Sequence, residues 1–223
     1  KVDRIELCSA LEIGGLTPSC GLIREAIDLK LLPIHCLIRP RPGHFFYSKE
    51  EIKVIEKNIL NASELGCDGV VVGAHDQNFK LDFSLLKKWK TLAGSMKITF
   101  HRAFDVLVNP LDAINQLIDL GFDSILTSGQ KEKAEEGIDN LNYWNTKFGS
   151  NIIIMPGSGV GVSNCKKFKK AGFKYIHLSA GEDIRPIPMP DGINQNLSFL
   201  KQTIRYSNKQ TLIDVVKALK SVE

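Results

Sequence analysis

The stretch ITFHRAFD, residues 98–105, places three groups that can move protons or hold anions directly after an apolar run. His101 has an unperturbed pKa near neutrality, while Arg102 and Asp105 can clamp an anion or orient a base. Catalysis, metal binding and the fixing of a loop are the roles that this combination could serve. The choice depends on the elements that position these side chains.

Short β-branched runs alternate with helical patterns along the 223 residues. Capping residues and glycines mark the helix ends. The predicted strands cover residues 3–8, 33–39, 69–74, 97–102, 123–128, 151–156 and 174–179. The predicted helices cover residues 20–30, 49–65, 83–93, 110–120, 131–147 and 162–171, with one or two more after 195.

This alternation of strands and helices predicts a parallel sheet in an α/β protein. No glycine fingerprint follows the first strand, so the pattern favours a (β/α)8 TIM-type barrel over an open doubly wound sheet. Seven strands are readable where a barrel needs eight, and the chain starts directly on a strand. We expect residues 1–223 to form one barrel domain in which the first β/α unit is missing.

Alternation along a strand decides which side chains face the barrel interior. In four predicted strands the apolar residues pack beneath helices, which sends the polar residues between them inward. These residues are Glu6, Arg39, His101 and His177, and Asp105 follows closely. They lie near the C-terminal strand ends, where barrel enzymes carry their chemistry. Two interpretations of these residues therefore stay open. They form a catalytic cluster, or they are buried polar groups that only hydrogen-bond to one another.

Glycine-containing turns after the strands could hold an anion through main-chain N–H groups. The candidates are Ser128 and Gly129 in one turn, Gly157 and Gly159 in another, and Arg102. The alternative is that short strand-to-helix turns need glycine for backbone reasons alone. The spacing does not match a dinucleotide fingerprint, so no nucleotide cofactor is expected.

A copper(I) site needs soft ligands, chiefly cysteine or methionine, with histidine as an addition. Cys8 is the one cysteine that strand alternation points inward near His101 and His177. The spacing of the other cysteines gives no metal motif. Cys8 is therefore the single candidate ligand for copper(I).

Composition argues against several classes of function. The formal charge is +4, and the densest basic run, residues 166–170, indicates a solvated helix face and not a nucleic-acid-binding stripe. No apolar run approaches the ~18 residues of a membrane span. Five cysteines without a CxxC motif predict reduced thiols in the cytoplasm, with the nucleus as the alternative.

Five motifs, in this order and spacing, resemble the CutC copper homeostasis family. They are DRIELCSAL with GGLTPS within 3–19, IRPRPGHFFYS at 38–48, TFHRAFD at 99–105, LTSGQ at 126–130 and MPGSGV at 155–160. The resemblance runs from residue 3 to about 181 and weakens after residue 182, where the tail is shorter and carries EDIRPIPMPDG. It implies a (β/α)8 barrel, usually oligomeric and cytosolic, that is associated with copper tolerance and Cu(I) binding.

The resemblance also assigns residues. The cysteine that follows RIEL in the family corresponds to Cys8, whereas a second family cysteine lies on a first strand that this chain lacks. Pro42 and His44 stand where family members commonly carry glycine and an acidic residue. Both differences alter the rim of the expected site.

Three hypotheses remain. The first is a cytosolic CutC-like protein that binds or handles Cu(I). The second is a barrel enzyme for a small phosphorylated or carboxylated metabolite, with His101 as a general acid/base poised near neutral pH and Arg39 and Arg102 as the anion clamp. The third is an inactive barrel whose open edge pairs with a partner. Enzymatic activity stays open, and we expect a homo-oligomer.

Overall fold

A parallel sheet of six strands forms the centre of the computed structural model, which describes residues 2–184 and 188–222. Each strand pairs with its neighbours in sequence, in the order β1-β2-β3-β4-β5-β6. A sequential parallel order is that of a (β/α) barrel and not of a doubly wound sheet. The first six predicted strands are confirmed as β1 (Ile5–Leu7), β2 (Ile34–Leu37), β3 (Gly69–Val72), β4 (Lys97–Phe100), β5 (Ser124–Thr127) and β6 (Ile153–Pro156).

Helices lie close to the predicted positions. They are α1 (Cys20–Asp28), α2 (Lys49–Glu64), α3 (Phe83–Ala93), α4 (Pro110–Asp119), α5 (Ile138–Phe148), α6 (Cys165–Lys170) and α7 (Lys209–Lys220). Ser48 and Glu51 form the predicted capping box at the start of α2. Helix α5 begins later than predicted because the preceding residues bond to the turn after β6. The Ser158 hydroxyl donates to the carbonyl of Glu132 at 2.8 Å, and the N–H of Ala134 donates to the carbonyl of Ser158 at 3.0 Å.

The hydrophobic core lies between the sheet and the helices, as strand alternation predicts. On β2 to β6, every second residue packs into this core, and the residues between them face the other side of the sheet, whereas Ile5 on β1 is exposed. The core residues on the strands β2 to β6 and their ends are Ile34, Cys36, Ile38, Val70, Val72, Ile98, Phe100, Ile125 and Ile154. This packing holds His35, Thr99 and His101 on the inner side of the sheet.

The predicted seventh strand, residues 174–179, is not a strand in the structure. The N–H of His177 donates to the carbonyl of Pro156 at 2.8 Å, but no continuous ladder follows. The chain turns instead into an antiparallel pair, β7 (Gly181–Ile184) and β8 (Ile204–Ser207), which forms a separate sheet. The described residues therefore form six sequential parallel strands and not the eight of a complete barrel.

The two ends of the sheet approach each other through side chains. Arg4, just before β1, donates from Nη2 to the Sδ atom of Met155 on β6 at 3.3 Å. The same guanidinium lies 5.5 Å from the centre of the Tyr175 ring. The sheet therefore curves strongly, although β1 pairs only with β2 among the described residues. This curvature makes the inner face concave.

The C-terminal part of the chain packs beside this open side, and α7 contacts α6. Residues 185–187, within the segment where the family resemblance weakens, lie outside the described residues. None of the helices in the described ranges combines the length and the apolar character that a bilayer crossing requires.

Candidate functional site

The carboxyl ends of five strands, β1, β2, β4, β5 and β6, surround a cavity of about 690 Å³, which we term the strand-end cavity. Its volume suits a small metabolite. Of the residues that the sequence suggested, it is lined by Glu6, Arg39, His101, Arg102, Gly159 and His177. The structure places the remaining suggested residues outside its lining, namely Cys8, Asp105, Ser128, Gly129 and Gly157.

His101 follows β4 directly and is 4% exposed. Its Nδ1 atom accepts a hydrogen bond from the N–H of Ala103 at 3.1 Å, so the proton of the neutral ring lies on Nε2. Burial, and next the positive charge of Arg39, lower the pKa of His101 to about 3. Near neutral pH the ring is an uncharged hydrogen-bond donor, whereas the sequence led us to expect an acid/base group with a pKa near neutrality.

Arg39 holds two loops together. Its Nη1 atom donates to the carbonyls of Ile13 at 3.2 Å and Gly15 at 3.1 Å, and Nη2 donates to that of Gly43 at 3.3 Å. The guanidinium lies 5.3 Å from the centre of the Phe45 ring, and burial lowers its pKa. Because Nη1 and Nη2 bind carbonyls, they do not form the bidentate anion clamp that we expected. The Nε atom is buried and has no partner among the described residues.

Asp105 organises the turn after β5. Its side chain, 7% exposed, accepts from Nε of Arg102 at 2.8 Å and from the main-chain N–H groups of Ser128 at 3.0 Å and Gln130 at 3.2 Å. The hydroxyl of Thr127 also donates to it. Asp105 is therefore a positioning group, fully engaged within the chain, and does not face the cavity as a proton carrier.

The same network explains why Ser128 and Gly129 are not available to an external anion. The N–H of Ser128 binds Asp105, and that of Gly129 donates to the hydroxyl of Thr127 at 3.0 Å. The turn does hold an anion, as its sequence suggested, but that anion is the carboxylate of Asp105. A sequence pattern does not reveal that the chain supplies the carboxylate itself.

In the turn after β6, one main-chain N–H group is hydrogen-bonded within the chain, whereas others have no acceptor among the described residues. The N–H of Gly157 donates to the carbonyl of Thr127 at 3.0 Å, so Gly157 continues the strand ladder and does not bind an anion. Ser158 and Gly159 have left-handed φ angles of 79° and 68°. The N–H groups of Gly159 and Val160 find no acceptor in residues 2–184 and 188–222. Both residues line the strand-end cavity.

Glu6 and His177 line the cavity as a pair. Oε2 of Glu6 lies 3.6 Å from Nδ1 of His177, and the side chains are 16% and 30% exposed. This contact joins β1 to the segment after β6, two parts of the chain that are far apart in the sequence. The predicted convergence of these two residues at one cavity is present in the structure.

Cys8 follows β1 and lines a second cavity of about 1160 Å³, the edge cavity, between β1 and the C-terminal segment. Burial, followed by the carboxylates of Glu6 and Glu12, raises the pKa of its thiol to about 11. Copper(I) would therefore displace a proton on binding. Across the described ranges, no group of three or more histidine, cysteine, aspartate or glutamate residues could hold a metal ion. Cys8 thus offers one soft donor and not a closed metal site.

Sequence reasoning missed residues that line the strand-end cavity. Phe45 packs on His101 with 4.7 Å between the ring centres, and Arg205 and Thr211 enter from the C-terminal segment. The glycine- and proline-rich segment before Phe45 is a signal that could have indicated a loop at the site. No comparable signal marks Arg205, because its position depends on how β8 packs.

Comparisons with known proteins agree with the motifs. The model of the CutC family matches residues 1–182. A protein named CutC from Proteus mirabilis is 44% identical over 180 residues, which cover 81% of this chain and 72% of that protein. A CutC relative from Pectobacterium atrosepticum is 43% identical over the same share of this chain and 71% of its own length.

Solved structures extend this likeness to the fold. A CutC structure from Streptococcus agalactiae, provisionally described as a copper homeostasis protein, is 34% identical and has a TM-score of 0.76 over 79% of this chain and 88% of that one. An aldolase structure at 14% identity has a TM-score of 0.55 over 74% of this chain and 77% of its own, a likeness of fold alone.

Proposed function

Because this chain belongs to the CutC family, we propose that it binds and hands on Cu(I) in the cytosol, with Cys8 as its sulfur ligand. The observation that carries the proposal is a free, half-buried thiol that lines the edge cavity next to β1. A thiolate is a ligand that Cu(I) favours. The five free cysteines support a reducing compartment.

The chemistry of Cys8 fits transient handling of a copper cargo better than permanent storage. One sulfur leaves coordination positions of Cu(I) for a second ligand, which a carrier that delivers or receives the ion would supply. The raised pKa keeps the thiol protonated near neutral pH, so loss of the metal is coupled to uptake of a proton.

Replacing Cys8 by serine is expected to abolish stoichiometric Cu(I) binding, measured by competition with a chromogenic Cu(I) chelator under anaerobic, reducing conditions. The matched control is Cys20→Ser, which removes an exposed thiol at the start of α1. In the parent protein the apparent affinity should rise about tenfold per pH unit below the pKa of Cys8, since one proton is released. Unchanged binding in the Cys8→Ser variant would contradict the proposal.

We also propose that the fold is a (β/α)8-type barrel from which the first β/α unit is missing, and that the chain assembles into a homo-oligomer. Among the described residues β1 pairs only with β2, which supports both proposals, since an unpaired strand edge favours pairing with another strand. The lowered pKa of His101 does not suit general acid/base catalysis near neutral pH.

A further inference from the structure

Two residues that line the strand-end cavity each carry a buried nitrogen atom without a hydrogen-bond partner in the described parts of the chain. These atoms are Nε2 of His101 and Nε of Arg39. Both residues line the cavity, and the Nε2 atom of the neutral His101 ring is a donor because Nδ1 accepts from Ala103. An unsatisfied buried donor costs about 1–3 kcal/mol, so a ligand group that accepts hydrogen bonds from both donors would gain affinity from them.

The two residues that carry these donors both pack against one aromatic ring. The Phe45 ring centre is 4.7 Å from the centre of the His101 ring and 5.3 Å from the Arg39 guanidinium carbon. The proximity of Arg39 also contributes to the lowered pKa of His101. The two N–H groups can therefore contact different atoms of one small ligand.

The charge on this side of the cavity is positive. Arg39 makes no ion pair with any described residue, and Arg102 also lines the cavity. Asp105 and Ser128 engage Nε and Nη2 of Arg102, while Nη1 keeps no partner in the described ranges. Arginine nitrogens in such a setting favour carboxylate or phosphate oxygens.

The turn after β6 adds main-chain donors. Gly159 and Val160 line the cavity with N–H groups that have no acceptor among the described residues. The left-handed conformation of Ser158 and Gly159 redirects the backbone at this point. Successive N–H groups in such a turn can form a concave binding site for an oxyanion.

We propose that the strand-end cavity binds a small metabolite through a carboxylate or phosphate group, which accepts hydrogen bonds from Nε2 of His101 and Nε of Arg39. The role of His101 is that of a neutral donor that recognises an oxyanion. Glu6 and His177, which line the same cavity, provide acceptor and donor groups for a hydroxyl at the other end of the ligand. This site is separate from the copper proposal and does not depend on it.

Binding can be measured by calorimetry with copper-free protein at pH 7.5 and constant ionic strength. The probes are inorganic phosphate, glycerol 3-phosphate and succinate, with glycerol as the neutral control. We expect saturable binding of at least one anion and none of glycerol. Preference between the phosphates and succinate identifies the anion class. Failure of all three anions to bind would overturn the proposal.

The variant His101→Phe keeps an aromatic ring beside Phe45 but removes the Nε2 donor. The dissociation constant for the anion should rise about tenfold or more, the loss expected for one hydrogen bond to a charged group. His44→Phe is the matched control, since His44 is exposed and does not line the cavity, and it should bind as the parent does. Equal affinity in all three proteins would overturn the assignment to His101.

A measurement on the parent protein avoids any dependence on the folding of the variant. With 15N-labelled histidine, addition of the anion that binds should shift the Nε2–H resonance of His101 strongly, with saturation at the calorimetric stoichiometry. The resonances of His44 should not shift when the anion is added. Calorimetric binding without a shift at His101 would mean that the anion binds elsewhere and would contradict the proposal.

Discussion

Lowering the pH from 7 to 5 is expected to reduce the free energy of unfolding by roughly 4 kcal/mol, about 2 kcal/mol for each of two buried histidines. His35 and His101 are each 4% exposed. Burial is the main cause that lowers the pKa of His35 to about 4 and that of His101 to about 3. The unfolded chain binds protons on both rings below about pH 6.5, whereas the folded chain does not. Stability is therefore lost as the pH falls.

The measurement is a series of urea denaturation curves between pH 7 and pH 5. The variant His101→Phe should show about half of the pH dependence, because one of the two rings no longer titrates. The variant His44→Phe, which replaces an exposed ring, should show the same pH dependence of stability as the parent protein. A parent protein whose stability does not change over this interval would contradict the burial of neutral rings.

Replacing Asp105 by alanine is expected to destabilise the protein by about 3 kcal/mol, because each buried donor left without its acceptor costs about 1–3 kcal/mol and the partner Arg102 is partly exposed. The change leaves Arg102 without its carboxylate and leaves the N–H groups of Ser128 and Gln130 without an acceptor. The Asp105→Asn variant should lose less stability, because its amide oxygen can still accept some of these hydrogen bonds.

Chemical denaturation at pH 7 measures both changes. Asp119→Ala is the matched control, because Asp119 is exposed at the end of α4 and should change stability by less than about 0.5 kcal/mol. A loss as small for Asp105→Ala as for Asp119→Ala would show that the network around the turn does not contribute to stability.

The sequence was sufficient for the repeating part of the fold. Alternation in β2 and β4 placed Cys36 and Phe100 beneath the helices and sent His35 and His101 to the inner face, as the structure shows. The same reasoning brought Glu6, Arg39 and His177 to one cavity. These predictions succeeded because the period of a strand decides which face a residue takes.

The remaining differences arise from interactions that are not local. Residues 174–179 have the pattern of a strand but lack a continuous ladder, and strand formation requires such pairing. The start of α5 was misplaced because Ser158, distant in sequence, binds the preceding residues. The roles of Asp105 and Arg39 depend on which main-chain groups they reach, and composition and spacing do not report those contacts.

The most direct test of the copper proposal is Cu K-edge X-ray absorption on protein loaded with one equivalent of Cu(I). The proposal predicts a sulfur shell around copper in the parent protein and in Cys20→Ser. In Cys8→Ser, that shell should disappear together with the bound metal. A sulfur shell that persists unchanged in Cys8→Ser would contradict the assignment of Cu(I) to Cys8.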